Sequence, residues 1–165
     1  MDLSIYNTDS IIVKDLRINL TKLLSREEFD QDLYYLVVLV AAKKLKYHEL
    51  YEQALIKLKH LDEKKIQEAE LSIGIVSMLN SYYKAKNLLS ESHELGPAEL
   101  RMQSLFNPVL GKKYFEAISL AISILNYCPY CIKAHTTECL KQGLTITEVH
   151  DIIRLSCVIS GLASI

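Results

Sequence analysis

Apolar residues recur along this chain at intervals of three and four positions, which is the pattern of amphipathic α-helices. No stretch shows the alternation of apolar and polar residues that marks a half-buried strand. The 165 residues include only 5 glycines and 3 prolines, so helical stretches are seldom interrupted. The pattern predicts an all-α protein that forms a single domain over residues 1–165.

Capping residues and helix breakers divide the chain into predicted helices. Ser25 with Glu28, and Thr145 with Glu148, have the sequence of a capping box, which predicts a helix start at each pair. Asp62 is expected to cap a long helix. The predicted helices lie at about 25 to 43 or 44, 47–60, 62 to 84–87, 97–106, 112–125, 128–141 and 146 to the end, with a loop at 88–96.

A helix-turn-helix pattern repeats at an offset of 83 residues. At that offset the aligned pairs include Leu61 with Leu144, Ile66 with Val149 and Tyr47 with Tyr130. The match favours two related helix-turn-helix halves, a cysteine-free first half at 1–100 and a second half at 101–165. Chance alignment of two helical hairpins is the alternative. In this alignment Cys128, Cys131 and His135 fall on Leu45, His48 and Glu52.

Charge and hydropathy exclude two classes of partner. The net charge is −1, and no basic cluster with interleaved aromatic residues indicates a nucleic-acid surface. The longest uncharged apolar run, at 33–42, is about half of what spans a bilayer. The first ten residues do not have the pattern of a secretory signal. We therefore expect a cytoplasmic protein without a nucleic-acid or membrane partner.

The stretch Cys128-Pro129-Tyr130-Cys131 is the strongest chemical signal in the sequence. Pro129 suits the first position of a helix, so Cys128 is expected at the N-cap and Cys131 in the first turn. Amide donors and the helix dipole stabilise a thiolate there, and such sites lower a cysteine pKa from about 8.5 to roughly 3.5–7.5. His135 follows Cys131 by four residues on the same helical face, where it can take the thiol proton.

Glu116 extends this cluster to the pattern Glu116-x11-Cys128-x2-Cys131-x3-His135. The pattern resembles the active-site motif of the AhpD family, the alkyl hydroperoxidases of the carboxymuconolactone decarboxylase superfamily. The resemblance implies an all-helical, AhpD-like bundle that assembles as a homotrimer or homohexamer. One position departs from the family, because AhpD has a second histidine between its cysteines where this chain has Tyr130.

The resemblance extends over about residues 112–165. The segment 141–149 and the stretch Ser160-Gly161-Leu162-Ala163 look like the helix-turn-helix that closes the core of that family. Before residue 112 the resemblance is faint. The family assignment therefore depends mainly on the second half of the chain.

The family chemistry implies a role for each residue of the motif. The Cys131 thiolate attacks a hydroperoxide and becomes a sulfenic acid, and Cys128 then closes a disulfide with it. His135 is the general base, while Glu116 orients its imidazole directly or through water. Tyr130 either contacts the substrate or only packs. The implied function is a thiol-dependent antioxidant enzyme that reduces hydroperoxides through a dithiol/disulfide cycle.

The resemblance also implies the partners. A dithiol reductant, either a lipoyl-bearing or a thioredoxin-like protein, is needed to reopen the disulfide, and a peroxiredoxin is a further possible partner. The sequence contains no glycine-rich phosphate loop and no haem attachment motif, so we expect no cofactor. No metal is expected either.

Other functions remain open at this stage. The disulfide can serve a disulfide reductase, or a redox-sensing oligomeric protein without peroxide turnover. The decarboxylase branch of the superfamily is less favoured, because its members generally lack the cysteine pair. Cys128, Cys131 and His135, with Cys139 one turn further on, offer ligands for zinc, but a second ligand pair is missing. Cys139 and Cys157 are otherwise expected to be inert core thiols.

Overall fold

The computed structural model describes residues 10–165 except 27 and 92. Within these residues the chain forms seven α-helices and no strand, which confirms the prediction of an all-α fold. The helices are α1 Ile11–Leu24, α2 Gln31–Lys44, α3 His48–Leu58, α4 Glu63–Leu88, α5 Lys112–Leu125, α6 Pro129–Lys141 and α7 Ile146–Leu162.

Helices α2 and α5 form the centre of the bundle. They contact each other, and each also packs against α4 and α7. Nine of the fourteen residues of α2 and eight of the fourteen of α5 are buried. Helix α3 packs on α2, α6 packs on α5, and α1 packs on α7. No helix of the described chain is both long and apolar enough to cross a membrane.

Polar caps set the starts of three helices. Asp30 caps α2 by accepting from the amide of Leu33, and Asp62 caps α4 as predicted. Thr145 and Glu148 form the predicted reciprocal capping box at the start of α7. The residues that position the last helix were therefore identified correctly from local sequence.

The helix start predicted at Ser25 is wrong. Ser25 is the C-cap of α1, and the next helix begins only at Gln31, because Asp30 supplies its cap. Glu27, in the middle of the supposed box, lies outside the described residues. Helix α1 itself was not predicted. The helix predicted from Pro97 is also wrong, since the only helical turn there is the 3₁₀ turn Gln103–Leu105.

Two turns of the bundle share the same backbone hydrogen bonds. After α5, the amide of Cys128 donates to the carbonyl of Ser123 over 3.1 Å. After α2, the amide of Tyr47 donates to the carbonyl of Ala42 over 2.9 Å. Each bond spans five residues and joins the end of one helix to the start of the next. This is the Schellman arrangement of a helix end.

Both turns also pass through a left-handed residue. Tyr127 has a φ of 51° and Lys46 a φ of 59°, and each is the residue just before the bonded amide. Equivalent positions are thus separated by 81 residues at this point. At the next turn the two caps, Asp62 and Thr145, are separated by 83. Helix α6 is two residues longer than α3, which accounts for the change of offset.

The structure therefore corrects the register of the internal match around the cysteines. The single offset of 83 paired Tyr47 with Tyr130, whereas the turn geometry pairs Tyr47 with Cys128. On this geometry the counterparts of Glu116, Cys128, Cys131 and His135 are Tyr35, Tyr47, Leu50 and Ala54. The first half lacks the four chemical groups in either register. A common origin of the halves stays a prediction.

A buried carboxylate links α7 to the segment before α2. Asp151 is fully buried and accepts hydrogen bonds from Arg26 at 2.8 Å, from the Tyr34 hydroxyl at 2.9 Å and from Arg154 at 2.9 Å. Burial, followed by the hydrogen bond and the charge of Asp151, raises the pKa of Tyr34. Three donors thus compensate for the removal of this charge from water.

Glu68 makes a similar connection in α4, 83 residues before Asp151. Its two carboxylate oxygens accept from the backbone amides of Val109 at 2.9 Å and Leu110 at 2.6 Å, just before α5. The last helix of each half therefore carries a carboxylate that holds the chain entering the central helix of the other half.

Candidate redox site

The first turn of α6 has the arrangement that the sequence predicts. Cys128 is the N-cap, Pro129 is the first helical residue, and Cys131 lies in the first turn. The amide of Cys131 donates to the sulfur of Cys128 over 3.4 Å. The N-terminal amides of the helix therefore point toward this sulfur, where they stabilise negative charge.

Cys128 and Cys131 are joined by a disulfide, with their Cα atoms 5.3 Å apart. Both residues are buried, with 0% exposure for Cys128 and 4% for Cys131. The bond closes within one turn of α6, so its formation requires no approach of distant elements. A groove opens beside Cys128.

His135 and Glu116 form a hydrogen-bonded pair between α6 and α5. The imidazole Nδ1 lies 2.7 Å from Oε2 of Glu116, and both side chains are largely buried. A carboxylate only accepts, so Nδ1 donates and the neutral ring keeps its lone pair on Nε2. Helical spacing puts His135 and Cys131 on one face of α6. The structure thus brings together the carboxylate and imidazole that the motif pairs.

A groove of about 440 Å³ lies beside Cys128, between the end of α4 and the start of α6. Its lining residues are Lys84, Asn87, Leu88, Tyr127, Cys128, Pro129 and Tyr130. Tyr130 is 54% exposed and stacks on Tyr83 of α4, with ring centroids 5.2 Å apart. Tyr130 therefore both packs and lines the groove next to the disulfide.

Sequence analysis missed the contribution of α4 to this site. Tyr83 and Lys84 lie more than forty residues before the cysteines and belong to no motif. Their proximity to Cys128 depends on how α4 packs against the α5–α6 turn. A run of two tyrosines before a lysine is no signal by itself.

The two remaining cysteines differ. Cys139 is buried, as predicted, and burial together with the charge of Glu116 raises the pKa of its thiol to about 12. Cys157 was predicted to be a core thiol, but it is exposed on α7. The prediction relied on the apolar residues that surround Cys157 in the sequence. In the structure Cys157 lies on the outward face of α7, between Ser156 and Val158.

Among residues 10–165, with 27 and 92 set aside, no three His, Cys, Asp or Glu side chains are grouped as metal ligands. The zinc alternative required Cys128, Cys131 and His135 to share an ion. In the structure the two sulfurs bond to each other and the imidazole bonds to Glu116. This geometry favours thiol chemistry over coordination.

Comparison with known protein families finds a match in the second half of the chain. The model of the carboxymuconolactone decarboxylase family matches residues 96–165. This segment contains α5, α6 and α7, and with them the four residues of the motif.

Full-length relatives match over most of the chain. The protein named alkyl hydroperoxide reductase AhpD from Coxiella burnetii is 35% identical over 157 residues, covering 92% of this chain and 89% of that protein. The protein of the same name from Maricaulis maris is 34% identical over 157 residues, with the same coverage. That from Mycolicibacterium smegmatis is 32% identical over 151 residues, covering 91% and 85%.

Proposed function

This chain belongs to the AhpD family within the carboxymuconolactone decarboxylase family, and we propose that it reduces hydroperoxides through a Cys128–Cys131 dithiol/disulfide cycle. Its relatives are named alkyl hydroperoxide reductases, which supports an antioxidant enzyme of that type. The observation that carries the finer proposal is the His135–Glu116 pair beside two sulfurs at a helix N-terminus.

Oxidation begins from the dithiol. His135 takes the proton of Cys131, and Glu116 stabilises the resulting imidazolium. The Cys131 thiolate attacks the terminal oxygen of the hydroperoxide, the O–O bond breaks, and the imidazolium returns a proton to the departing alkoxide. The products are a Cys131 sulfenic acid and an alcohol, or water when the substrate is hydrogen peroxide.

Disulfide closure follows within the same helical turn. The Cys128 thiolate attacks the sulfenic sulfur of Cys131, which releases hydroxide that is protonated to water. The Cα separation of 5.3 Å in the oxidised form lies within the usual range for a disulfide. No helix has to move far for the two sulfurs to meet.

A dithiol reductant completes the cycle, and the groove beside Cys128 is its proposed entrance. A lipoyl-bearing or thioredoxin-like protein fits this role because its second thiol resolves the mixed disulfide that the first one forms. A peroxiredoxin is a further partner if the dithiol form passes electrons onward. Tyr130, at the groove edge, is the proposed substrate-contact residue.

Steady-state consumption of a hydroperoxide with a panel of dithiols tests this proposal. The wild type should turn over repeatedly, whereas Cys131→Ser and Cys128→Ser should each lose turnover. Cys128→Ser should still react once with peroxide at Cys131, but Cys131→Ser should not. Cys157→Ser, which removes an exposed thiol outside the motif, is the matched control and should keep full activity.

Two alternatives predict different results in the same assay. A disulfide reductase would consume dithiol with a disulfide acceptor but not with hydroperoxide. A redox sensor would oxidise stoichiometrically and stop, even with dithiol in excess. Either result would reject the proposed peroxidase cycle, but it would agree with a redox-active disulfide that serves another function.

We also propose a homotrimer or homohexamer. Several large apolar side chains are exposed in the monomer, including Ile11, Ile12, Ile56, Leu71, Leu88 and Ile146. Where such side chains form a contiguous patch, association covers it. Sedimentation equilibrium should give three or six times 18.8 kDa, and a monomer at micromolar concentration would reject this proposal.

A further inference from the structure

One face of α4 holds the turn that leads to Cys128. Lys84 Nζ donates to the carbonyl of Asn126 over 3.1 Å, and the Asn126 amide nitrogen donates to the Ser77 hydroxyl over 3.2 Å. The Ser123 hydroxyl donates to Asn80 Oδ1 over 3.2 Å. Ser77, Asn80 and Lys84 follow one another at intervals of three and four, so they form a single stripe of α4.

These contacts fix the position of Cys128 relative to α4. Ser123 also accepts the Cys128 amide, and Asn126 is the C-cap of α5 two residues before Cys128. Lys84 and Cys128 line the same groove. The ammonium of Lys84 is therefore anchored by a hydrogen bond to the turn that carries Cys128, beside the groove that both residues line.

The two sulfurs have different ionisable neighbours. Cys131 shares a face of α6 with His135, whose partner is Glu116. Cys128 lies in the groove with Lys84, the one cation among the described residues that line it. Cys131 therefore has its own proton acceptor, whereas Cys128 is left with the helix amides and this ammonium.

We propose that Lys84 is a positioning residue whose ammonium stabilises Cys128 as a thiolate. The proposal rests on the redox cycle described above and assigns a step to each sulfur. A reductant thiolate attacks Cys128, the S–S bond breaks, and Cys131 leaves as a thiolate that His135 protonates. The second reductant thiol, once deprotonated, attacks the reductant sulfur of the mixed disulfide, and Cys128 leaves as a thiolate. The reductant loses two electrons and the protein disulfide gains them.

Other titratable groups lie on α6 and on the helices packed against it, and the test has to separate them from Lys84. They are Tyr83 on α4, Tyr127 and Tyr130 at the groove, Glu116 on α5, Lys133, His135 and Glu138 on α6, and Glu148, Asp151 and Arg154 on α7. Glu148 and Asp151 are held by bonds to Thr145, and to Tyr34 and two arginines, respectively.

The pH dependence of Cys128 alkylation by iodoacetamide tests the proposal. A Cys131→Ser, Cys157→Ser background leaves two thiols, Cys128 beside the groove and Cys139 in the core. The pKa of the Cys139 thiol is raised to about 12, so it reacts little with iodoacetamide near neutral pH. Lys84→Met should raise the apparent pKa of Cys128 by about one unit, and slow alkylation below that pKa roughly tenfold. Lys84→Arg should restore the low value. Lys86→Met, which removes a charge from the same helix outside the groove, should change nothing.

Lys84→Gln separates charge from hydrogen bonding. Its amide can still donate to the carbonyl of Asn126, so a shift equal to that of Lys84→Met assigns the effect to charge. An unchanged pH profile in a folded Lys84→Met or Lys84→Gln variant would overturn the proposal, as would an equal shift in Lys86→Met. The readout needs no peroxide turnover, so it can succeed or fail independently of the proposed peroxidase activity.

Discussion

The turn after α2 and the turn after α5 have the same backbone but different side chains. Both end in Schellman hydrogen bonds and pass through a left-handed residue before the next helix. The first presents Tyr47 where the second presents Cys128, and both residues are buried. The same backbone turn therefore forms with a tyrosine or with a cysteine at this position. Chemistry at the second turn depends on a few side chains placed on a frame that does not itself require them.

The largest effect on activity is expected when a residue of the second half is replaced by its counterpart from the first half. His135→Ala introduces the residue found at the counterpart position, Ala54. Turnover with hydroperoxide and dithiol at pH 7 should fall about 10²–10⁴-fold, because the Cys131 proton loses its acceptor.

A matched control exists for this substitution. His60 also pairs with a carboxylate, Asp32 at 2.9 Å, but it is exposed and has no thiol nearby. His60→Ala should leave turnover unchanged, and thermal unfolding should show that both variants fold. Full activity in His135→Ala would remove the imidazole from the mechanism.

The two carboxylates that hold the central helices provide a second comparison. Asp151→Ala should cost about 3–5 kcal/mol of unfolding free energy in urea titrations, because it removes at once the acceptor of the buried Tyr34 hydroxyl and of two partly exposed arginines. Glu68→Ala should cost about 1–3 kcal/mol, because the amides it releases are nearer to water. Equal losses of unfolding free energy in the two variants would contradict the expectation that the more deeply buried carboxylate contributes more.

Alkaline pH should affect the first half through Tyr34. The pKa of Tyr34 is raised in the folded protein, so its stabilising contribution is complete below about pH 10 and is lost as the pH rises further. Tyr34→Phe, which introduces the residue of the counterpart Phe115, should lower the unfolding free energy at pH 8 by about 1–3 kcal/mol.

The same variant should also flatten the decline of stability above pH 10, by up to about 1.4 kcal/mol per pH unit. Urea titrations at pH 8, 10 and 11 measure both effects. A slope identical to that of the wild type would show that another group titrates. Tyr51 is the natural alternative, because its hydrogen bond to Glu70 raises its pKa to about 12.

The smallest expected difference in unfolding free energy is between variants of the two corresponding helix caps, Thr145 and Asp62. Thr145→Ala should cost about 1–2 kcal/mol, because it removes a reciprocal box with Glu148. Asp62→Ala should cost about 0.5–1 kcal/mol, because Asp62 is exposed and its hydrogen bond goes to the amide of Lys64 alone. A larger loss at Asp62 would reverse the expected order.

Local signals predicted much of this molecule. Lys112–Leu125 was bounded correctly, since Gly111 and the following turn mark its ends. The N-cap at Cys128 followed from Pro129 alone. Helix α1 was missed because its first residues, Ile11 and Ile12, are exposed and Ser10 makes no side-chain cap.

Contacts between distant elements were predicted less well. The pairing of His135 with Glu116 was predicted from the family motif. In the structure it is formed by the packing of α6 on α5. The contact of Lys84 with Asn126 joins residues 42 positions apart, and nothing in either neighbourhood signals it. The single offset of 83 agrees with the caps of α4 and α7, but it does not hold at the turns before α3 and α6, because these two helices differ in length by two residues.

The disulfide lies entirely within the opening turn of α6. Its two cysteines are three positions apart, so no neighbouring helix contributes a sulfur to the bond. The proposed cycle would therefore take place inside one helical turn, with no direct link between the bond and remote surfaces. Such confinement suits a catalyst better than a messenger.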